Sequence, residues 1–373
     1  MTSQETARVA VVGAGGIGAA AHLPAVQSLG DEAQLVAIVD LDADRRAEAG
    51  NRFGCTDLYS GIEEMLAAKR PDVVALATPP HLHEAMAIEV MRAGAWAYCE
   101  KPLTGSLASA DRIIAAERDT GRWCVSVSQF RYAGGSQQAY AALRNRRWGR
   151  PLIGVAHTNW YRGPEYWDIP WRGKFRTEFG GATTTQAYHA IDLLVWLMGG
   201  DWATVSGVAD TLARPIEVED TSAAVVRFQS GAIASLLSTV LSSRQETHLQ
   251  VTTERATLGL DTLYLPQQDE WSVRQLDGEG VTRIVDDWPE PEPPLEVNAH
   301  RAQLRGILAA WREGRRPDVT AADARSTLEL LTALYKSSAT ERSVARGEIA
   351  QGDPFYDALD AAGPSRKQAI VHV

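Results

Sequence analysis

The chain has 373 residues, 45% hydrophobic and 23% charged, with a formal net charge of −10. That is an ordinary soluble composition, long enough for two domains. Its acidity disfavours nucleic acid or anionic membrane as a main partner. The N-terminus, M-T-S-Q-E-T-A-R, has no apolar signal core. No apolar run reaches the roughly 18–20 residues that span a bilayer, so a cytoplasmic location is expected. Cys55, Cys99 and Cys124 show neither metal-ligand spacing nor an even framework. They are expected to be buried free thiols in a reducing compartment, with no metal site.

The first elements carry the strongest motif. Four apolar residues, Val9 to Val12, run into Gly13-Ala14-Gly15-Gly16-Ile17-Gly18, and Ala19 to Leu29 reads as a helix. A second apolar run, Leu35 to Val39, ends on Asp40, about twenty residues past the glycines. Strand, glycine turn, helix, strand and terminal acid together form a dinucleotide-binding unit. Gly13 permits the tight turn, Gly15 lets backbone approach a pyrophosphate, and Gly18 lets the helix lie close to the strand. Gly16 and Ile17 complete the cofactor-facing turn. The helix N-terminus stabilises the pyrophosphate. Asp40 is placed to accept from the adenosine ribose hydroxyls and repels a 2′-phosphate. Arg45 and Arg46 lie close enough to soften that repulsion. NAD is expected, NADP less so.

Strands and helices then alternate to about residue 127. Apolar runs recur at Val73–Ala77, Trp96–Cys99 and Trp123–Val127, with helical stretches at Asp42–Arg52, Ile62–Lys69, His83–Ala93 and Leu107–Asp119. This order predicts an α/β, doubly wound parallel sheet over residues 1–130. Beyond it, residues 131–373 are expected to form a second α/β domain. Leu152–Trp160 reads as a strand and Ala187–Met198 as a helix closed by Gly199 and Gly200. Strands follow at Ala203–Ala209, Ser222–Phe228, Ala232–Val240, Thr247–Thr253 and Ala256–Leu260. Such closely spaced hairpins predict a mostly antiparallel sheet. The stretch from Pro266 to Pro294 reads as a polar hairpin and loop. Helices at Asn298–Glu313 and Ala321–Ala345 close the chain.

Three segments carry chemistry. After the fourth strand, Thr78 and Pro79 border the nicotinamide half of the cofactor, because strand C-termini face it. His83 follows on the next helix as a further cofactor-side candidate. After the fifth strand comes Glu100-Lys101-Pro102. A lysine beside an oxidised nicotinamide feels a positive charge and partial desolvation, and both lower its pKa towards proton exchange. Lys101 is therefore the leading catalytic candidate, with Glu100 at its side. The third segment is Gly180-Gly181-Ala182-Thr183-Thr184-Thr185-Gln186-Ala187-Tyr188-His189-Ala190-Ile191-Asp192. It places His189 and Asp192 on one helical face. Upstream, Trp167-Asp168-Ile169-Pro170-Trp171-Arg172 is an aromatic and cationic cluster, and Tyr161 and Tyr166 extend the aromatic wall.

In this order, G-A-G-G-I-G, A-T-P-P-H-L-H, E-K-P-L and the G-G…H-x-x-D helix resemble the Gfo/Idh/MocA family of sugar oxidoreductases over nearly the whole chain. The resemblance implies a Rossmann domain and a C-terminal domain with a large open antiparallel sheet that mediates oligomer contacts, as a homodimer or homotetramer. It implies reversible hydride transfer between NAD(P) and a secondary alcohol of a sugar or cyclitol. Lys101 and His189 match the family's catalytic lysine and histidine. Trp171 and Arg172 match a Trp-Arg pair near the nicotinamide, and Gln129 sits where a cofactor-contacting Asn is common. Substrate contacts are expected from Lys101, Tyr161, Arg172, Thr185, Gln186 and His189. Many members carry Asp four residues before the histidine as its relay partner; here that residue is Thr185. Two alternatives remain at this level: a transient-redox enzyme that cleaves or epimerises its substrate, and a dinucleotide-sensing regulator.

Overall fold

The computed structural model describes residues 5–261, 263, 271–277, 282–284 and 299–361. The chain divides into two compact units: Met1–Gln129 with Asn298–Arg325, and Phe130–Val297 with Ser326–Val373.

The first unit holds six parallel strands: β1 (Ala7–Val12), β2 (Ala33–Val39), β3 (Leu58–Tyr59), β4 (Val73–Leu76), β5 (Trp96–Cys99) and β6 (Cys124–Ser126). Their order is β3-β2-β1-β4-β5-β6, with order reversing between β1 and β4. A crevice at the strand C-termini is the expected consequence of that reversal. β1, β4 and β5 are buried almost end to end, as strands covered on both faces must be. The first helical stretch differs from a plain α-helix. It opens as a π turn, Gly18–His22, and continues as the helix Leu23–Ser28. Pro24 has no N–H, so the ordinary i→i−4 ladder cannot run through it.

The expectation that residues 131–373 form one C-terminal domain needs correction. Helix Ala299–Glu313 belongs with the first unit. Gln303, fully buried, is one reason. Its Oε1 accepts from the Ser128 N–H at 3.0 Å and the Tyr98 hydroxyl at 3.2 Å, and its Nε2 donates to the Ser126 carbonyl at 2.8 Å. Farther along, Arg305 pairs with Glu32 at 3.1 Å, and Arg325 pairs with Asp111 at 2.6 Å. No local pattern could announce contacts that close over about 175 residues of chain.

The second unit holds nine strands among the described residues: β7 (Pro151–Tyr161), β8 (Trp202–Asp210), β9 (Thr221–Phe228), β10 (Ile233–Thr239), β11 (Leu241–Thr253), β12 (Ala256–Leu260), β13 (Ser272–Leu276), β14 (Thr282–Ile284) and β15 (Val344–Ala345). They lie in the order β14-β13-β12-β11-β7-β10-β9-β8-β15. β7 and β10 pair in parallel and the other neighbours are antiparallel. Helix Tyr188–Leu197 packs on one face. Gly154 allows this close approach, since a Cβ there would lie 3.1 Å from Leu194. On the other face Ile153, Val208, Val225 and Ile233 are exposed, between 40% and 63%.

The helix expected over Ala321–Ala345 stops at Thr340. Glu341 takes φ +54°, and the chain turns back as β15 against β8. Most of the loop expected between Pro266 and Pro294 lies outside the described residues. The part that is described supplies β13 and β14.

Replacing Gln303 by Leu leaves the Ser128 N–H and the Ser126 carbonyl buried without a partner. Each such orphan costs about 1–3 kcal/mol. The variant is expected to lose about 2–4 kcal/mol in urea unfolding. An unchanged midpoint would show that Gln303 does not tie this helix to the sheet.

Candidate active site

The glycine turn after β1 is shaped by what surrounds it. Gly13 has φ +96°, and a Cβ on it would lie 2.6 Å from the Ala77 carbonyl oxygen. A Cβ on Gly18 would lie 1.9 Å from the Gly13 oxygen. These two glycines are required by packing. Gly15 and Gly16 face open space, with only the Arg45 guanidinium at 4.0 Å from the Gly15 position. An unobstructed backbone of this kind suits a pyrophosphate. Beside it Ile17 is 43% exposed and Leu41 86% exposed, apolar surfaces suited to covering a flat heterocycle.

Asp40 follows β2 directly and is largely buried. Its carboxylate accepts from the Ala14 N–H at 2.8 Å and the Asp42 N–H at 2.9 Å. It therefore joins the glycine turn to the loop after β2, and each oxygen retains a lone pair for a ribose hydroxyl. Arg45 lies 3.5 Å from Asp40 and 3.5 Å from Asp42, half-exposed between them. The Rossmann residues thus fit a dinucleotide with an unmodified ribose.

Lys101 leaves the C-terminal end of β5, partly buried. Its backbone N–H donates to Glu100 Oε2 at 3.1 Å. Glu100 Oε1 accepts from His22 Nε2 at 2.9 Å and faces His300 Nε2 at 3.6 Å. Burial opposes the charge on Glu100, but the hydrogen bond from His22 and the nearby His300 imidazole outweigh it and hold the carboxyl well below the usual range. Glu100 was expected beside the cofactor. Its oxygens are instead engaged within the protein, and its effect reaches the site through the Lys101 backbone.

His83 differs from expectation in the same way. It has no exposed surface, so its side chain offers a cofactor nothing to touch. Nε2 lies 2.8 Å from the Thr78 carbonyl and Nδ1 2.9 Å from the Pro102 carbonyl. Burial lowers its pKa, and a neutral imidazole has one N–H to share between them. His83 thus bridges the loops after β4 and β5, which carry Thr78-Pro79 and Lys101. Gln129, also buried, begins the short 3-10 turn after β6.

The second unit carries the remaining candidates. Thr185 and Gln186 lie on a π turn, Ala182–Gln186, and His189 on the first turn of helix Tyr188–Leu197. The π turn is clamped by Glu219, which is buried. Its carboxylate accepts from the Gly181 N–H and the Thr183 N–H, both at 2.9 Å. A Cβ on Gly181 would lie 1.9 Å from the Glu219 carbonyl oxygen. His189 is buried, with the Phe130 ring edge-on at 5.2 Å. Asp192, on the same face, is occupied elsewhere. It accepts from Arg131 Nε at 2.7 Å and from the Thr327 hydroxyl at 2.8 Å.

Upstream, the Arg172 guanidinium lies 3.9 Å from the Tyr166 ring centre and 4.3 Å from the Trp171 ring centre. It pairs with Glu178 at 3.1 Å. Tyr166 accepts from Gln186 Nε2 at 2.8 Å. Burial pushes the Tyr166 hydroxyl up to about 12. Tyr161, 45% exposed, ends β7 with the Arg214 guanidinium 4.9 Å from its ring. Arg172, Glu178, Thr185, Gln186 and Tyr166 thus form one polar network. Glu178 and Glu219 were not singled out from the sequence. The only local signal was an acid just ahead of Gly180-Gly181.

Residues 7–129 match the family model described as the oxidoreductase family, NAD-binding Rossmann fold. Residues 136–259 match the GFO/IDH/MocA C-terminal domain. The chain belongs to this family. It is an NAD(P)-dependent dehydrogenase or reductase acting on CH–OH groups, and NAD is its cofactor. A D-apiose dehydrogenase from Paraburkholderia graminis is 28% identical over 334 residues, covering 87% of this chain and 85% of the relative. The structure of the WlbA dehydrogenase from Bordetella pertussis, in complex with NADH and UDP-GlcNAcA, aligns with TM-score 0.80 at 29% identity, covering 92% of this chain and 99% of that one. Levoglucosan dehydrogenase in complex with NADH and levoglucosan aligns with TM-score 0.81 at 21% identity, covering 91% and 99%.

With Asp40 at the end of β2, NADH is expected to bind more tightly than NADPH. Asp40→Ser should shrink that preference by about tenfold or more, since like-charge juxtaposition costs several kcal/mol. Fluorescence titration of both cofactors measures it. Equal affinities in the unmodified protein would refute the role of Asp40.

Proposed function

We propose that the protein oxidises a secondary hydroxyl of a sugar, sugar derivative or cyclitol, or reduces the corresponding ketone. NAD, when bound, supplies the acceptor or donor of the hydride. Gly13, Gly15, Gly16, Ile17, Asp40 and Arg45 hold its adenosine and pyrophosphate half. Thr78, Pro79, Gln129, Trp171 and Arg172 border the nicotinamide half. Lys101 exchanges the hydroxyl proton as the substrate carbon loses or gains hydride. His189 assists by hydrogen bonding, while Tyr161, Thr185 and Gln186 contact the rest of the substrate.

The observation that carries this reading is the anchorage of Lys101. A buried carboxylate hydrogen-bonded to His22 and flanked by His300 holds the lysine's own amide at the sheet edge where doubly wound folds place ligands. So costly an arrangement suits a residue whose position matters. Relatives named D-apiose dehydrogenase, 1,5-anhydro-D-fructose reductase and inositol 2-dehydrogenase/D-chiro-inositol 3-dehydrogenase support a polyhydroxylated substrate. A homodimer or homotetramer built through the exposed face of β7 to β10 fits the apolar side chains there. Buried, unpaired Cys55, Cys99 and Cys124 suit the cytoplasm.

General acid–base groups contribute about a hundred- to ten-thousand-fold. Lys101→Met should lower turnover by that factor with NADH affinity nearly intact, and His189→Ala should cost less. Absorbance of NADH across a panel of sugars, cyclitols and keto-sugars reads both. Near-normal turnover in Lys101→Met, or complete loss in His189→Ala alone, would reverse the roles. Product without accumulating NADH would point to transient redox instead.

Light scattering at micromolar concentration should give the mass of a dimer or tetramer. A monomeric mass would refute the sheet-face assembly.

A further inference from the structure

Glu178 ends the short helix Phe175–Glu178 and is completely buried. Its Oε2 accepts from the Gly173 N–H at 2.5 Å. Its Oε1 accepts from Arg172 Nη1 and from the Thr185 hydroxyl, each at 3.1 Å. Arg172 faces it as a cation, Glu219 as a second buried carboxylate, and Tyr166 as a neutral hydroxyl. None of the assigned roles uses this acid.

We propose that Glu178 is a positioning residue that, through Thr185 and Arg172, makes this edge of the site select an uncharged, hydroxyl-donating part of the substrate. A threonine hydroxyl has a single hydrogen. With that hydrogen donated to Glu178, the Thr185 oxygen can only accept from anything else. An accepting oxygen welcomes an alcohol O–H and repels a carboxylate or a carbonyl oxygen. Arg172 is neutralised by the same carboxylate, so it presents no uncompensated charge to an anionic sugar. Together the two favour a neutral polyol over its uronic acid. The inference rests on the reading of the protein as a polyol oxidoreductase and deepens it.

Protonation of Glu178 would remove the charge that neutralises Arg172 and weaken the hold on the Thr185 hydrogen. Burial raises its carboxyl pKa, against the opposing pull of the Gly173 N–H, Arg172 and Thr185. The ionised form is the working one, so selectivity is present above that pKa and is lost as pH falls through it. The acid limb should therefore lie above the ordinary carboxylate range.

The test compares wild type, Glu178→Gln, Thr185→Val, Thr185→Ser and the Glu178→Gln/Thr185→Val pair. The full chain is assayed with saturating NAD+, a neutral polyol and the matching uronate. Hydrogen bonds to charged groups support losses of about 10- to 100-fold. Thr185→Val should lower kcat/KM for the polyol by that factor, mainly through KM, and Thr185→Ser should restore it. Glu178→Gln should lose a similar factor on the polyol, narrow the polyol-to-uronate ratio and abolish the raised acid limb. Because the two residues act as a unit, the double variant should cost no more than the larger single change. Thermal midpoints and NADH affinity report folding, and if Glu178→Gln fails to fold, the two Thr185 variants decide. A folded Glu178→Gln with unchanged selectivity and pH profile, or a Thr185→Val equal to Thr185→Ser, overturns the inference. A wild-type protein that oxidises no polyol overturns the functional reading and this inference with it. An active wild type with indifferent variants overturns the inference alone.

Discussion

The Glu100 carboxylate takes the His22 imidazole at 2.9 Å on one oxygen and the Lys101 amide at 3.1 Å on the other. An unpaired carboxylate at this depth would be protonated or expelled. Partnered as it is, it stays charged and binds three separate segments: the π turn after the glycines, the end of β5 and, through His300, helix Ala299–Glu313. The dinucleotide turn and the candidate acid–base residue are thereby set by one buried group. His83 adds a second tie by bridging the carbonyls of Thr78 and Pro102. The strand ends that face the cofactor are in this way held from behind.

The second unit solves the same problem with the same chemistry. Glu219 grips the backbone of the turn ahead of His189, and Glu178 grips Gly173. Asp40 does likewise with Ala14 and Asp42. Loops at the edge of a sheet leave N–H groups without ladder partners, and each orphan would cost free energy if buried. A carboxylate is the strongest available acceptor for them. The two π turns among the described residues, Gly18–His22 and Ala182–Gln186, occur beside these clamps. Single π turns often mark functional positions; here the first contains His22, the partner of Glu100, and the second leads into the helix that carries His189.

The local part of this design is legible in sequence. Gly13, Gly15, Gly18 and Asp40 stand at spacings that only one turn geometry requires. The apolar runs ending at Thr78 and Glu100 place their loops at the correct sheet edge. Other features depend on residues far apart in the chain. Nothing near Glu100 indicates that His22 and His300 will meet it, and nothing near Gln303 indicates that Ser126 and Ser128 will. Glu178 looks like an exposed acid in a polar stretch until Arg172 and Thr185 close over it. The last long helix ends at Thr340, short of what its pattern suggests, because Glu341 turns the chain by adopting a positive φ that its side chain does not advertise.

The buried acids do not behave alike, and the difference follows from their neighbours. Glu100 is hydrogen-bonded to the His22 imidazole and has His300 close by, and its proton affinity falls well below normal. Burial pushes the proton affinity of Glu178 and Glu219 up, since their backbone, hydroxyl and guanidinium partners do not fully offset it, and Glu178 also feels the Glu219 carboxylate. An anchor needs a charge that persists across the working pH range, which the environment of Glu100 supplies. A residue that sets the direction of a neighbouring hydroxyl gains from being closer to its titration point, because its effect can then be released. The charge that persists thus stands behind the Lys101 amide, and the more yielding ones stand around Thr185.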